Sequence, residues 1–158
     1  MFYAALIALT SVLDLALKSG VESQPDTAYP RDVKGTGGLV QLRKLHNEGF
    51  PMGIMKEKPE LVRCLPLAVA SSLLLRFSCL LPKKGNHLEK AGLACMIGGA
   101  CSNLFDRFFR GYVVDYLYIN KEPASKVIFN LGDVFIAGGT VLAGLSGLFR
   151  AVTERKKR

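Results

Sequence analysis

Four long apolar runs, separated by shorter polar stretches, organise the chain. They cover 1–19, 64–81, 88–105 and 127–149. Each approaches the roughly 20 apolar residues that a helix needs to cross a bilayer. An ordinary soluble domain would spread its apolar positions at helical or strand period instead. The pattern predicts a mainly α membrane protein, a four-transmembrane-helix bundle forming one integral membrane domain over 1–158. The first run lacks a positive leading segment and a small-residue cleavage site, so it reads as a span rather than a cleaved signal peptide.

The polar stretches predict a small β-like subdomain on one side of the membrane. The loop over 20–62 opens with Gln24, Pro25 and Pro30, then carries a turn signal at Gly35-Thr36-Gly37-Gly38. Leu39 to Leu45 and Phe50 to Met55 are predicted as two short strands joined at Asn47-Glu48-Gly49. The run from Gly111 to Ile119 is rich in β-branched and aromatic residues, which predicts either a strand or an interfacial cap.

Composition narrows the class. Apolar residues make up 49% and charged residues 22%, which excludes disorder, collagen and coiled coil. The formal charge of +8 suits nucleic acid or an anionic membrane surface. The basic residues sit between apolar runs, which favours membrane lipids and leaves no nucleic-acid partner expected. Positive charge is densest in the tail (Arg150, Arg155, Lys156, Lys157, Arg158) and in the second loop (Lys83, Lys84, Lys90). An even number of spans puts these regions and the N-terminus on one side, read as cytoplasmic, with 20–62 outside. The 4 cysteines lie in or beside apolar runs without a CxxC pair, and 2 histidines do not complete a zinc set. They read as small apolar thiols, and neither metal nor cofactor is expected.

Charged residues in or beside spanning helices are costly and mark function by default. The candidates are Asp14, Arg76, Asp106 and Asp133. For Arg76 the plain alternative is a side chain snorkelling to the interface. Asn103 and Asp106 end the third run; Asn130 and Asp133 begin the fourth. Each Asp is either a helix cap or half of a functional pair at matched depth. Gly98, Gly99, Gly132 and Gly144 would let these helices approach closely. Two carboxylates held together share a proton, so one can accept a proton from water while the other donates. The expected catalytic pair is Asp106 with Asp133.

These residues resemble the lipoprotein signal peptidases, the signal peptidase II family. Gly98-Gly99-Ala100-Cys101-Ser102-Asn103-Leu104-Phe105-Asp106-Arg107, followed by Gly111-Tyr112-Val113-Val114-Asp115, is similar to the family's first motif. Phe129-Asn130-Leu131-Gly132-Asp133 is similar to its second. Asp14 with Lys18, and Asn47 with Gly49, match weaker family features. Ser102 stands where the family has Gly, Gly132 where it has Ala, and the loop around Pro51 and Met52 lacks the usual Ala-Phe.

The resemblance implies a membrane aspartic endopeptidase. It would cut a prolipoprotein on the N-terminal side of a diacylglyceryl-modified Cys, near the extracytoplasmic face of the bacterial cytoplasmic membrane. Asn103, Asn130, Arg107, Asn47, Asp14, Lys18 and Gly99 would orient the carboxylates or bind substrate, within a monomer. The competing reading is a non-enzymatic four-span protein, a transporter or scaffold, in which Asp14 serves as an ion site. The distance between the paired carboxylates discriminates between them.

Overall fold

The computed structural model describes residues 1–50, 54–122 and 127–155. Four helices carry it: α1 (Phe2–Glu22), α2 (Pro59–Leu80), α3 (His87–Phe105) and α4 (Leu131–Arg155). α1, α2 and the Leu131–Phe149 part of α4 are each long and apolar enough to cross a membrane. α3 is less apolar, and its position explains why. It packs against all three other helices and buries Gly92, Leu93, Ala94, Ile97, Gly98, Gly99 and Ser102. A helix walled by protein does not need an apolar surface all round.

The distribution of polarity is inverted relative to a soluble domain. Asp14, Lys18, Ser102, Asp106 and Asn130 are fully buried, while Leu9, Val12, Leu75, Val141, Leu148 and Phe149 are exposed. Lipid satisfies such a surface and water does not. α3 and α4 run antiparallel in very close contact. A Cβ at Gly99 would lie 2.3 Å from the Gly132 carbonyl oxygen, and one at Gly139 would lie 2.4 Å from that of Gly92. Small residues at both crossings bring the two backbones together.

The boundaries differ from expectation for local reasons. α1 runs on to Glu22 because Val21 packs under Val114 and Tyr116. α2 starts at Pro59, whose missing N–H costs nothing in a first turn. α4 starts at Leu131 rather than 127, because Asn130 and Asp133 close a capping box. The Asp133 N–H donates to Asn130 Oδ1 at 3.0 Å, and the Asn130 N–H donates to Asp133 Oδ2 at 3.1 Å.

Among the described residues, the predicted hairpin at Asn47-Glu48-Gly49 does not form. Four antiparallel strands instead make one sheet in the order β1 (Arg31–Asp32), β2 (Val40–Asn47), β3 (Val113–Ile119), β4 (Ile128–Phe129). The partner of β2 is thus the Gly111 to Ile119 run, far along the chain, which settles that run as a strand. Of the second predicted strand, Phe50 and Ile54 make only an isolated bridge. Pro51 and Met52 between them lie outside the described residues, as do Lys156, Lys157 and Arg158 of the tail. Gly35, Gly37 and Gly38 all have positive φ, as the turn signal required.

One irregularity in the sheet matters for chemistry. Leu42 faces Leu117 and Leu45 faces Asp115, so Arg43 and Lys44 together oppose Tyr116. This β-bulge shifts the alternation by one residue. Beyond it, Leu45 and Asn47 share a face with Val113 and Asp115. A regular strand would have turned Asn47 away from Asp115.

Candidate active site

A cavity of about 810 Å³ opens where the sheet meets the ends of α3 and α4. Its walls include Asn47, Gly49, Asn103, Arg107, Asp115 and Asp133. Three acidic residues line it: Glu48 is exposed, while Asp115, from a strand, and Asp133, from a helix, are held within the fold.

Asp115 and Asp133 are both held by asparagine amides. Asp115 Oδ2 accepts from Asn47 Nδ2 at 2.9 Å, and Asp115 Oδ1 accepts from Asn130 Nδ2 at 2.8 Å. Asp133 Oδ1 accepts from Asn103 Nδ2 at 2.9 Å. Asn130 therefore joins the two: its side-chain amide holds Asp115 while its backbone N–H holds Asp133. Asn47 is itself fixed, because its Oδ1 accepts the Gly49 N–H at 3.1 Å. The Gly49 carbonyl in turn accepts from Arg107 Nη2 at 2.9 Å. Burial pushes the Asp115 carboxyl up to about 6. The Asn47 amide opposes this, the nearby Asp133 carboxylate adds to it, and Asn130 and Lys18 oppose it further.

Beneath the cavity lies a second, sealed polar cluster. Lys18 Nζ is 2.9 Å from Asp14 Oδ2 and 3.1 Å from Asp106 Oδ2, and all three side chains are fully buried. It also donates to Asn103 Oδ1 at 2.7 Å, which turns the Asn103 amide nitrogen toward Asp133. Arg110 Nη1 adds a second cation, 2.8 Å from Asp106 Oδ1. Two anions and two cations balance, as buried charges must. Asp14 Oδ1 accepts from the Tyr116 hydroxyl at 2.9 Å. That hydroxyl accepts the Leu131 N–H at 3.2 Å, at the start of α4.

A family model described as signal peptidase (SPase) II matches residues 6–149. The chain belongs to the signal peptidase II family. It is 34% identical over 143 residues to a lipoprotein signal peptidase of Caldicellulosiruptor bescii, covering 90% of this chain and 87% of that one. It is 32% identical over 158 residues to that of Fusobacterium nucleatum, covering 100% and 91%. A bacterial membrane enzyme solved in meso at 2.3 Å shares the fold, with a TM-score of 0.83 at 18% identity over 99% of this chain and 93% of that one.

Within this signal peptidase II chain, the structure re-sorts the expected residues. Asp133, Asn103, Asn130, Arg107 and Asn47 meet at the cavity. Asp106 does not. Its oxygens are committed to Lys18, Arg110 and the Val114 N–H, and it is not among the described residues lining the cavity. Of the expected Asp106–Asp133 pair, only Asp133 lines the cavity, and the carboxylate tied to it through Asn130 is that of Asp115. Of the two Asn-x-x-Asp units, only the second places its Asp at the cavity. In the first, Asp106 ends α3 at a π-helical turn, where the Gly111 N–H donates to the Asp106 carbonyl. The Asp106 side chain anchors the Val114 N–H, one residue before Asp115.

Asp14 and Lys18 lie in the sealed cluster, so they act on the site only through Asn103 and Tyr116. Gly99 contributes the helix crossing rather than a substrate contact. Arg76 donates through Nε and Nη2 to Glu89, at 3.1 and 2.6 Å, and so braces α2 against α3. The four cysteines are free thiols, and no metal-binding cluster occurs among the described residues. The signal for Asp115 was present in the sequence: a lone carboxylate between Val113, Val114, Tyr116 and Leu117 is as anomalous in a buried strand as in a spanning helix.

Proposed function

We propose that this chain is a membrane aspartic endopeptidase that removes signal peptides from diacylglyceryl-modified prolipoproteins, with Asp115 and Asp133 as its catalytic pair. The observation that carries the reading is that the Asp115 and Asp133 carboxylates face one cavity, tied through Asn130. Two interacting carboxylates titrate as a pair and share a proton. We assign the shared proton to Asp115, whose carboxyl is pushed up to about 6 by burial. Asp133 takes a proton from water as the water oxygen attacks the scissile carbonyl carbon. Asp115 gives its proton to the carbonyl oxygen, forming a neutral gem-diol. Asp133 then passes its proton to the leaving nitrogen, the C–N bond breaks, and a diol proton returns to Asp115.

The substrate's lipid stays in the bilayer, while its peptide enters the cavity beside the sheet. The new C-terminus of the signal peptide and the free amine of the lipidated Cys are the products. The site is complete within one chain, which supports a monomer as the working unit. A non-enzymatic transporter has no use for a carboxylate pair held by three asparagine amides.

Orientation follows from charge. The Tyr3 hydroxyl meets His87 Nδ1 at 2.9 Å, so the N-terminus and the α2–α3 turn share one end of the bundle. The lysines of that turn mark this end as cytoplasmic, and the cavity lies at the other, extracytoplasmic end. In a cysteine-free background, Lys34→Cys is labelled by an impermeant maleimide in intact cells, and Lys84→Cys only after permeabilisation. The opposite labelling overturns the orientation.

The direct test is cleavage of a diacylated prolipoprotein by the purified protein. Release of the signal peptide, with a new amine on the lipidated Cys, supports the reading; an intact substrate rejects it. Asn47→Ala slows this reaction by about tenfold, because one orienting hydrogen bond is lost while proton transfer persists. Asn47 lowers the Asp115 pKa, so its removal raises it. The alkaline limb of the kcat/KM profile is then expected at higher pH than in the wild type. A limb that stays in place shows that Asn47 does not act on Asp115.

A further inference from the structure

Ser102 and Gly132 stand at two positions where the family pattern carries Gly and Ala. They come from different helices, yet both abut the same atom. Ser102 Oγ donates to Asp14 Oδ2 at 2.5 Å. A Cβ built on Gly132 would lie 2.8 Å from that same oxygen, nearer than to Asn130 Oδ1 at 3.0 Å or to the Gly99 carbonyl oxygen at 3.1 Å. Asp14, Ser102 and Asn130 are all fully buried. The gain of a side chain at one position is thus matched by the loss of one at the other. A packed interior transmits a mismatch of this size rather than absorbing it.

We propose that Ser102 and Gly132 are a matched pair of positioning residues that together set the place of the Asp14 carboxylate and, through it, of Asp133. Two routes lead from Asp14 to the site. Its Oδ2 fixes Lys18, which holds Asn103 Oδ1, whose amide nitrogen holds Asp133. Its Oδ1 fixes the Tyr116 hydroxyl, which holds the Leu131 N–H beside Asn130. A methyl group at 132 pushes on Asp14 Oδ2 and Asn130 Oδ1 while Ser102 keeps the carboxylate from yielding. Without the Ser102 side chain, the carboxylate gains room to yield. Neither residue touches the cavity, so the consequence is misplacement of the carboxylate pair rather than loss of a substrate contact.

The inference rests on the proposed peptidase activity but is read from ratios between variants and from unfolding temperatures. Wild type, Ser102→Gly, Gly132→Ala and the double variant are purified in detergent. Each is assayed for cleavage of a diacylated prolipoprotein and for thermal unfolding. Gly132→Ala is expected to lower kcat by about tenfold or more with KM changed less than about twofold, since a small misplacement of a reacting group is costly in rate. Ser102→Gly lowers kcat by about threefold. The double variant recovers to within about threefold of wild type, a clear departure from additivity. Where Gly132→Ala does not fold, recovery of a cooperative unfolding transition in the double variant reads the same coupling. A double variant no better than Gly132→Ala overturns the pairing, as does Gly132→Ala with wild-type kcat. Absence of cleavage by the wild type would reject the proposed activity instead, and the unfolding temperatures would still decide the pairing.

Discussion

Asp115→Asn and Asp133→Asn each lower cleavage by about 10³-fold or more, because an amide can neither accept nor donate the transferred proton. Both variants stay folded. Removing one of two neighbouring carboxylates relieves repulsion, and an asparagine at 115 still accepts from the Asn130 amide through its own oxygen. The informative comparison is Asp106→Asn, which removes an anion from the sealed cluster and leaves Lys18 and Arg110 facing Asp14 alone. That variant unfolds at a lower temperature but keeps turnover within about tenfold per folded molecule, since Asp106 supports β3 and transfers no proton. Cleavage of purified substrate, normalised to the folded fraction, separates the cases. An inactive, fully folded Asp106→Asn would return Asp106 to the catalytic pair, and an active Asp115→Asn would remove Asp115 from it.

Lys18→Met is the substitution expected to cost most stability, about 3–5 kcal/mol. Lys18 is fully buried between Asp14 and Asp106, and methionine leaves both anions with only Arg110 to balance them. Desolvated charge without a partner is far more costly than the pair itself is stabilising. The loss also frees Asn103 Oδ1, so the amide no longer has to present its nitrogen to Asp133. Thermal unfolding in detergent measures the first effect, and kcat of the folded fraction the second. Adding Asp14→Asn to Lys18→Met removes one of the stranded anions and recovers part of the loss. A Lys18→Met protein as stable as wild type would show that water reaches the cluster.

Much of the outline was legible because hydropathy is a local property. Four apolar runs became four helices, the third of them ending at Phe105. The asparagines, Arg107 and Asp133 were legible because polar groups at the ends of such runs must find partners. What misled was the likeness of the two Asn-x-x-Asp units. In one, the reciprocal bonds of Asn130 and Asp133 open a helix and leave one carboxylate facing the cavity. In the other, Asn103 and Asp106 close a helix, and the carboxylate turns inward to Lys18.

The sequence by itself determined that this chain spans a membrane, that its ionisable residues gather at helix ends, and which family it resembles. Spacing along one chain carries that information, because helix formation and burial in lipid depend on neighbours within a few turns. Only the tertiary structure decided which carboxylate shares the cavity and Asn130 with Asp133. Asp115 meets it because β2 pairs with β3 rather than with the segment after Asn47, and because one bulge returns Asn47 to the Asp115 face. Strand pairing and bulge position are set by contacts between residues about 70 apart in the chain (Asn47 with Val113, for example). The upward push on the Asp115 carboxyl has the same origin, since it reflects water excluded by elements that meet only once the chain has folded.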